Sequence, residues 1–244
     1  MRKILLVLSF SFFLTGCEFK EELYLKKNGK GSLHFEVDSG KMLAAMGNIG
    51  DHKNTSNAVE KKVDTLIYFK DIINKAKDSI KKLDPDDQKI INALKNFTLK
   101  IYVDPSENNS LFSLNNSFEN INQVQDLQSL FQTAGSLYKN SSKPKTPIKH
   151  QIGYELNKKK FRRFVIEKKL SEEDESIYQK SMEQGKMIYA QSNYRLVYHF
   201  ENKIKNSTLT NAFISEDKKT LEIKYPMDTL VSNPYLLEFE VTFK

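Results

Sequence analysis

The sequence predicts an α+β fold in which a mainly antiparallel sheet carries helices packed on one face. Short segments in which apolar residues alternate with polar ones recur along the chain, a pattern typical of half-buried strands. Between them lie segments with apolar residues every three or four positions, the spacing of amphipathic helices. Because pairs of strands and helices follow one another in blocks, the α+β class explains their order best.

The first predicted element is a β-hairpin. Apolar residues alternate over 19–25 and 33–37, and Asn28-Gly29 supplies the turn between them. Residues 39–47 suit a short helix. A longer helix is predicted over 62–83, where apolar residues recur at helical spacing.

An acidic turn introduces the next predicted helix. Asp84 is a suitable N-cap, Pro85 fits the first helical position, and Asp86 and Asp87 complement the positive end of the helix. The three aspartates could also be read as a metal or acid/base site, although capping accounts for all of them.

The remaining elements complete one predicted domain, 17–244. Strands are expected at 97–103, 110–118, 194–200, 221–225 and 237–243, with a second hairpin over 150–170 that turns near Asn157. Helices are expected at 121–138, from Ser171 to Tyr189, and as one turn at 228–233. The loop 139–149, which contains prolines and serines, is the best candidate for an internal boundary.

The N-terminus has the pattern of an export signal. Met1-Arg2-Lys3 is cationic, an apolar run follows from Ile4 to Phe13, and Leu14-Thr15-Gly16-Cys17 comes next. These four residues resemble the lipobox of bacterial lipoproteins, and Cys17 is the single cysteine of the chain. The alternative is an ordinary secretory signal with a chance cysteine near its end.

The lipobox resemblance implies a defined covalent chemistry. It implies that residues 1–16 are a signal peptide that is cleaved before Cys17, and that this cysteine carries a diacylglyceryl thioether and an acyl chain such as palmitate. Two or three acyl chains suffice for stable membrane anchoring. The expected location is therefore the cell envelope, with the outer membrane favoured and the periplasmic or surface-facing side left open.

Both ends of the chain resemble a family of uncharacterised Bacteroidetes lipoproteins. The resemblance lies in SGKMLAAMG after the first hairpin, and in YRLVYHFENKIKN, SEDKKTLEIKYPMDTLVSNP and LLEFEVTF near the end. It brings no catalytic residues and no known activity. Lys20-Glu21-Glu22 also resembles the tag that sends some of these proteins to the cell surface, with charge at the edge of a strand as the alternative.

Charge and composition narrow the function further. The formal net charge is +7, and loss of Arg2 and Lys3 with the signal removes part of it. Lysine pairs mixed with acids usually mark a solvated surface, and nucleic acid is not an expected partner of an exported protein. The sequence contains no HExxH, GxSxG or SxxK motif, and its four histidines stand at no ligand spacing.

We therefore expect a non-catalytic binding or scaffolding domain without a cofactor, held at the membrane and contacting an unidentified envelope protein. One alternative is a carrier of an apolar, lipid-like ligand. A third is an envelope hydrolase, which would need acids, a histidine or a serine brought together by the fold.

A basic cluster on the second hairpin is the remaining candidate site. Its members are Lys158, Lys159, Lys160, Arg162 and Arg163. At a hairpin tip they could contact anionic lipid or glycan, with Phe161 as an apolar wedge. The alternative is a solvated turn whose lysines discourage edge pairing.

Overall fold

In the computed structural model of the chain, residues 17–38, 62–83, 85–107, 109–124 and 147–244 are described. Their strands form two sheets, one of eight strands and one of four. The strands of the large sheet are β1 (Cys17–Leu25), β2 (Gly31–Asp38), β3 (Val63–Tyr68), β4 (Phe97–Asp104), β5 (Asn109–Phe118), β8 (Ser192–Phe200), β10 (Phe213–Ile214) and β11 (Thr220–Pro226). Those of the small sheet are β6 (His150–Leu156), β7 (Lys160–Glu167), β9 (Ile204–Ser207) and β12 (Phe239–Phe243).

The helices are short except for one. They are α1 (Phe69–Lys75), α2 (Lys77–Ile80), α3 (Pro85–Ala93), α4 (Glu172–Ala190) and α5 (Met227–Ser232). Single 3₁₀ turns occupy Leu94–Asn96, Pro105–Glu107, Ile121–Gln123 and Pro234–Leu237. Helix α4 starts as predicted, because Ser171 is its N-cap and its side chain accepts a hydrogen bond from the backbone N–H of Asp174.

Strand β1 joins the two ends of the chain. The order of the large sheet is β10-β11-β8-β1-β2-β5-β4-β3, so β1 lies between β2 and β8. Its pairing with β2 is antiparallel, whereas its pairing with β8 is parallel and aligns Cys17 with Ser192 and Leu25 with Phe200. The small sheet, in the order β6-β7-β12-β9, is antiparallel throughout its described ladders. The α+β class and the mainly antiparallel pairing are thus confirmed.

Alternation gives the large sheet two distinct faces. Leu23 and Leu25 of β1 are buried on the face that we call inner, whereas Lys20, Glu22 and Tyr24 lie on the opposite, outer face. The small sheet packs on the inner face beside β8, β1 and β11. The main hydrophobic cluster contains residues from both sheets, from α5 and from chain segments before and after 139–149. Its buried members include Leu23, Ile121, Phe161, Leu196, Tyr198, Leu221, Leu230, Phe239 and Val241.

Helices α1 and α3 cover the other half of the inner face. Across β2, β5 and β4 the register aligns Leu33 with Asn116 and Asn116 with Phe97, so Phe97 shares the face of Leu33. Phe97 packs with Leu94, Leu114 and the partly buried Phe69 and Ile73 of α1 in a second, smaller cluster. Helices α1 and α3 therefore lie on the same face as the small sheet, which agrees with the predicted packing on one side.

Several sequence predictions hold and one fails in part. Both predicted hairpins are present, and the second turns at Asn157, whose side chain accepts a hydrogen bond from the backbone N–H of Lys159. Helix α3 begins at Pro85, while Asp84 lies outside the described residues, as do 39–47, 125–138 and most of the 139–149 loop.

The predicted helix over 62–83 was wrong at its start. Residues 63–68 form strand β3, which pairs antiparallel with β4 from Val63 opposite Val103 to Tyr68 opposite Thr98. The segment VDTLIY is rich in β-branched and aromatic residues, which favour strands, and the edge of the sheet offered a partner. The helical spacing of apolar residues was real only from Phe69 onward.

Candidate functional site

A charged pair lies in the interior, between the two sheets. Glu21 projects from the inner face of β1, and Arg163 projects toward it from β7 of the small sheet. Only 5% of Glu21 and 2% of Arg163 is exposed to solvent. Arg163 Nη2 lies 3.2 Å from Glu21 Oε2, so the two sheets are joined by a buried salt bridge.

Three tyrosines complete the surroundings of the Glu21 carboxylate. Tyr154 of β6 donates its hydroxyl to Glu21 Oε1 at 3.1 Å, and Tyr198 of β8 donates to the same oxygen. Tyr194 of β8 donates to Oε2. Each carboxylate oxygen therefore accepts at least one charge-assisted hydrogen bond from a tyrosine, in addition to the salt bridge on Oε2.

Arg163 is equally well satisfied. Besides its contact with Glu21, its Nε donates to the hydroxyl of Tyr198 at 3.1 Å and its Nη1 donates to the carbonyl of Leu237 at 2.9 Å. The planar guanidinium thus uses each of its three nitrogens on a different partner, and this fork geometry is one that lysine could not reproduce.

The electrostatics fix the ionisation of this cluster. Burial disfavours a charged carboxylate and raises the pKa of Glu21, but the charge of Arg163 and the tyrosine hydrogen bonds outweigh burial and hold that pKa below its ordinary value. Burial first, and the negative charge of Glu21 second, raise the pKa of Tyr154, Tyr194 and Tyr198. Glu21 is therefore an anion, and its three partners are neutral, throughout the physiological range.

This arrangement stabilises the contact between the sheets and does not suit a general acid or base. A general acid or base needs a pKa near the working pH and a free position for substrate, whereas the Glu21 carboxylate is kept ionised and its oxygens are occupied. Within the described residues, every buried side-chain nitrogen and oxygen has a hydrogen-bond partner. The cluster is best described as a polar lock between the sheets.

Sequence reasoning missed the lock but contained a signal for it. Glu21 shares its parity with Leu23 and Leu25, so the pattern that put those leucines in the core puts Glu21 there as well. Glu22, the next residue, faces the opposite way, so the two adjacent acids share no site. Which cation would meet Glu21 could not be read from the sequence, because Arg163 lies on another sheet.

The predicted basic cluster is divided by the fold. Arg163 was assigned to the surface and is instead buried in the lock, because every second residue of β7 faces the large sheet. Phe161 has no exposed area and packs against Tyr198 and Phe239, so it is not an apolar wedge at the tip.

The other members of that cluster remain at the surface. Lys160 pairs with Glu240 at 2.8 Å, and Arg162 lies 3.6 Å from Glu155 and stacks over the ring of Phe164. Lys158 and Lys159 are exposed in the turn itself. Anionic contact by these residues stays a prediction.

Cys17 is the first residue of β1. Its thiol is free and the residue is 8% exposed. The strand ends at Leu25, so Cys17 and the β1–β2 turn lie at opposite ends of the large sheet. Lipidation of Cys17 stays a prediction, and residues 1–16 lie outside the described part of the chain.

The outer face of the large sheet carries a second group of polar contacts. Glu22 accepts hydrogen bonds from Lys20 at 2.8 Å and from Tyr24 at 3.0 Å, and lies 3.0 Å from His199. Burial opposes its ionisation, but these hydrogen bonds lower the pKa of Glu22 to about 2. His34 also lies on this face, where it contacts Asn115, so both His34 and His199 lie on the polar face of the large sheet.

Neither group resembles a metal centre. Among the residues that the structure describes, no three histidine, cysteine, aspartate or glutamate side chains are grouped so that they could hold a metal ion. None of the helices in the described ranges combines the length and the apolar character needed to cross a membrane.

Comparisons with known proteins give little. No protein-family model and no curated protein matches the chain. Among solved structures, the chain is similar to the NMR structure of the folded domain of the Mycobacterium tuberculosis protein LppM. The match has a TM-score of 0.37 and 6% sequence identity, and covers 93% of this chain and 89% of that one. A similarity of this size carries no argument about fold or function.

Proposed function

We propose that the protein is a lipid-anchored lipoprotein of the cell envelope, whose folded domain binds or scaffolds an envelope partner without catalysing a reaction. The observation that carries the proposal is Leu14-Thr15-Gly16-Cys17 after a cationic start and an apolar run, followed at once by the first strand of the fold. Since β1 begins at Cys17, the acyl chains would hold one end of the large sheet close to the membrane.

The interior supports the non-catalytic part of the proposal. Between the two sheets, Glu21 and Arg163 are paired with each other in the lock, and the pKa of Glu21 is held below the range that suits a general acid or base near neutral pH. A carrier of an apolar ligand would need space between the sheets. That space contains Phe161 in ring contact with Tyr154, Phe200 and Phe239, at centroid distances of 6.2, 5.3 and 6.0 Å.

Lipidation is tested by the mass and the location of the protein in an exporting bacterial host. We expect the mature product to start at Cys17, to carry the mass of a diacylglyceryl group and an acyl chain, and to sediment with membranes. Cys17→Ser should abolish the adduct and the cleavage, whereas Ser9→Ala, in the apolar run outside the four-residue motif, should change neither. An unmodified Cys17 in the wild-type product would overturn the proposal.

Ligand carriage is tested separately. Native mass spectrometry of the purified protein, after exchange into a volatile buffer, should give the mass of the chain with its covalent adduct alone. A second, noncovalent lipid retained in stoichiometric amount would favour the carrier over the scaffold.

A further inference from the structure

The turns at one end of the molecule form a continuous surface. Opposite Cys17, the turn between β1 and β2 adjoins the β8–β9 connection, because the N–H of Glu201 donates to the carbonyl of Leu25 and its carboxylate accepts from the N–H of Lys27. The β8–β9 connection adjoins the β10–β11 turn through the hydrogen bond from Ile204 N–H to the Lys218 carbonyl.

The small sheet contributes its own turn to the same surface. The N–H of Phe243, in β12, donates to the carbonyl of Lys159 in the β6–β7 turn, and the N–H of Lys244 donates to the carbonyl of Lys203. Leu156, at the end of β6, also lies beside Gly29 in the β1–β2 turn. Four turns from two sheets thus meet at one end of the fold.

Lysine dominates these turns. We call this surface the lysine-rich end, and its exposed lysines are Lys26, Lys27, Lys30, Lys158, Lys159, Lys203 and Lys218. Lys27 pairs with Glu201 at 3.8 Å, and Lys30 pairs with Glu119. The other five form no salt bridge with any acidic residue that the structure describes, although Lys203 interacts electrostatically with Asp217 of the β10–β11 turn. The turns also carry the exposed acids Glu201, Glu216 and Asp217, and lysines outnumber these acids.

From these contacts we infer that the lysine-rich end binds an anionic polysaccharide. Several point charges on separate turns, with no arginine fork among them, suit a chain of repeated carboxylate or phosphate groups better than one small anion. Binding of that kind releases counterions and weakens steeply with salt.

Two features favour a glycan over a lipid bilayer. The tips of the turns present no large exposed apolar side chain that would insert between lipids. Phe213, which is 63% exposed, lies one residue before the end of β10 and not in the turn that follows it. A second exposed ring is Tyr24, one residue before the end of β1, which is 47% exposed and stacked on His199 at 4.4 Å. His199 covers one face of this ring, and the exposed part of the ring lies on the outer face, where the apolar face of a sugar ring can pack on it.

The position of the surface also fits this partner, and this step alone rests on the proposed function. At about 3.3 Å per residue, β1 holds the lysine-rich end roughly 25 Å from Cys17. The Debye length under physiological conditions is about 8 Å, so the headgroups of the anchoring membrane would not attract these lysines. They would face away from the lipid, toward polymers of the envelope.

The test uses the purified full chain in a neutral detergent, with polygalacturonate as the probe. We expect binding at low salt that is lost as salt is raised. A variant with Lys26, Lys158, Lys203 and Lys218 changed to Gln, one lysine from each turn, should bind at least about tenfold more weakly. The control changes Lys70, Lys75, Lys77 and Lys82 to Gln, which alters the net charge equally at exposed sites on and beside α1 and α2, and should bind as the wild type does.

Two further arms separate a glycan from other polyanions. Tyr24→Ala should weaken polygalacturonate binding at least about threefold and leave binding of polyglutamate, a carboxylate polymer without sugar, unchanged. Equal binding of polyglutamate and polygalacturonate by the wild type, stronger capture by phosphatidylglycerol vesicles, or an equal loss in the control variant would each overturn the inference. Since binding is measured in solution, an unlipidated Cys17 would overturn the proposed function and leave this result untouched.

Discussion

Removal of the buried cation is the sharpest test of the lock between the sheets. Arg163→Met keeps a side chain of similar length but leaves the Glu21 carboxylate inside the protein without its counter-charge. Breaking a buried pair in this way typically costs about 3–5 kcal/mol. Within that figure, the unsatisfied carbonyl of Leu237, which accepts from Arg163 at 2.9 Å, accounts for about 1–3 kcal/mol.

The matched control is the neighbouring residue on the same strand. Arg162 has 43% of its side chain exposed and contacts Glu155 and Glu240 at 3.6 and 3.9 Å. Exposed pairs of this kind contribute at most about 1 kcal/mol, so Arg162→Met should change stability little. The two variants change adjacent residues of β7, but the Arg163 side chain faces the interior and the Arg162 side chain faces solvent.

Urea unfolding of the full chain, followed by tyrosine fluorescence because the chain has no tryptophan, measures both variants. With an m-value of about 2–3 kcal/mol/M, Arg163→Met should lower the midpoint by about 1–2.5 M. A second test adds Glu21→Leu to Arg163→Met. This double variant should lose less than the sum of the two single losses, because no charge is then left unpaired.

The pH dependence gives an independent check. In the wild type the pKa of Glu21 is lowered by folding, so its contribution to stability is present above the unfolded pKa of about 4.3 and is lost as pH falls through the folded pKa. Without Arg163, burial dominates and raises the pKa of this carboxyl. The deficit of Arg163→Met should then shrink on acidification from pH 7 to 4. A midpoint equal to that of Arg162→Met, or a deficit independent of pH, would refute the reasoning.

Three further predictions test other parts of the fold. Tyr198→Phe removes a hydrogen bond to the buried Glu21 and should lower the free energy of unfolding, measured in urea, by about 1.5–3 kcal/mol. A decrease of less than about 0.5 kcal/mol would contradict the role given to the Tyr198 hydroxyl. Ser171→Ala should cost about 1 kcal/mol by loss of the α4 N-cap, with Ser171→Asp as the variant expected to retain stability. Gly31→Ala places a Cβ well inside van der Waals contact of the Tyr24 carbonyl and should reduce the yield of folded protein, measured by circular dichroism. A yield equal to that of the wild type would disprove this prediction.

Local patterns allowed much of the fold to be predicted. Alternation located β1, β2, β4, β5, β8 and β11, and the sequence around Ser171 located the start of α4. These features depend on residues that are close in sequence, so the spacing of apolar and capping residues is enough to recognise them. The short strands β9 and β10 were missed, because four residues or fewer give too little alternation to recognise.

Division of the strands between two sheets was beyond sequence reasoning. The hairpin of β6 and β7 has the same kind of sequence pattern as the hairpin of β1 and β2, yet the two belong to different sheets that pack face to face. The same limit explains the misassignment of Arg163. Its neighbour Arg162 is chemically identical and exposed, and only the choice of which face of β7 meets the large sheet distinguishes the two. That choice depends on a partner, Glu21, far away in the chain.

The parallel pairing of β1 with β8 constrains how the protein acquires its structure. Strand β1 precedes β8 in the chain, so the neighbour on one side of β1 does not exist until Phe200 has been made. Until then Leu23 and Leu25 have no complete core, and one edge of β1 keeps its amide groups unpaired. Contacts so far apart in sequence close slowly. We therefore expect the chain to need protection from aggregation until β8 is made, and the hairpin of β1 and β2 to be the segment that a holding chaperone would recognise.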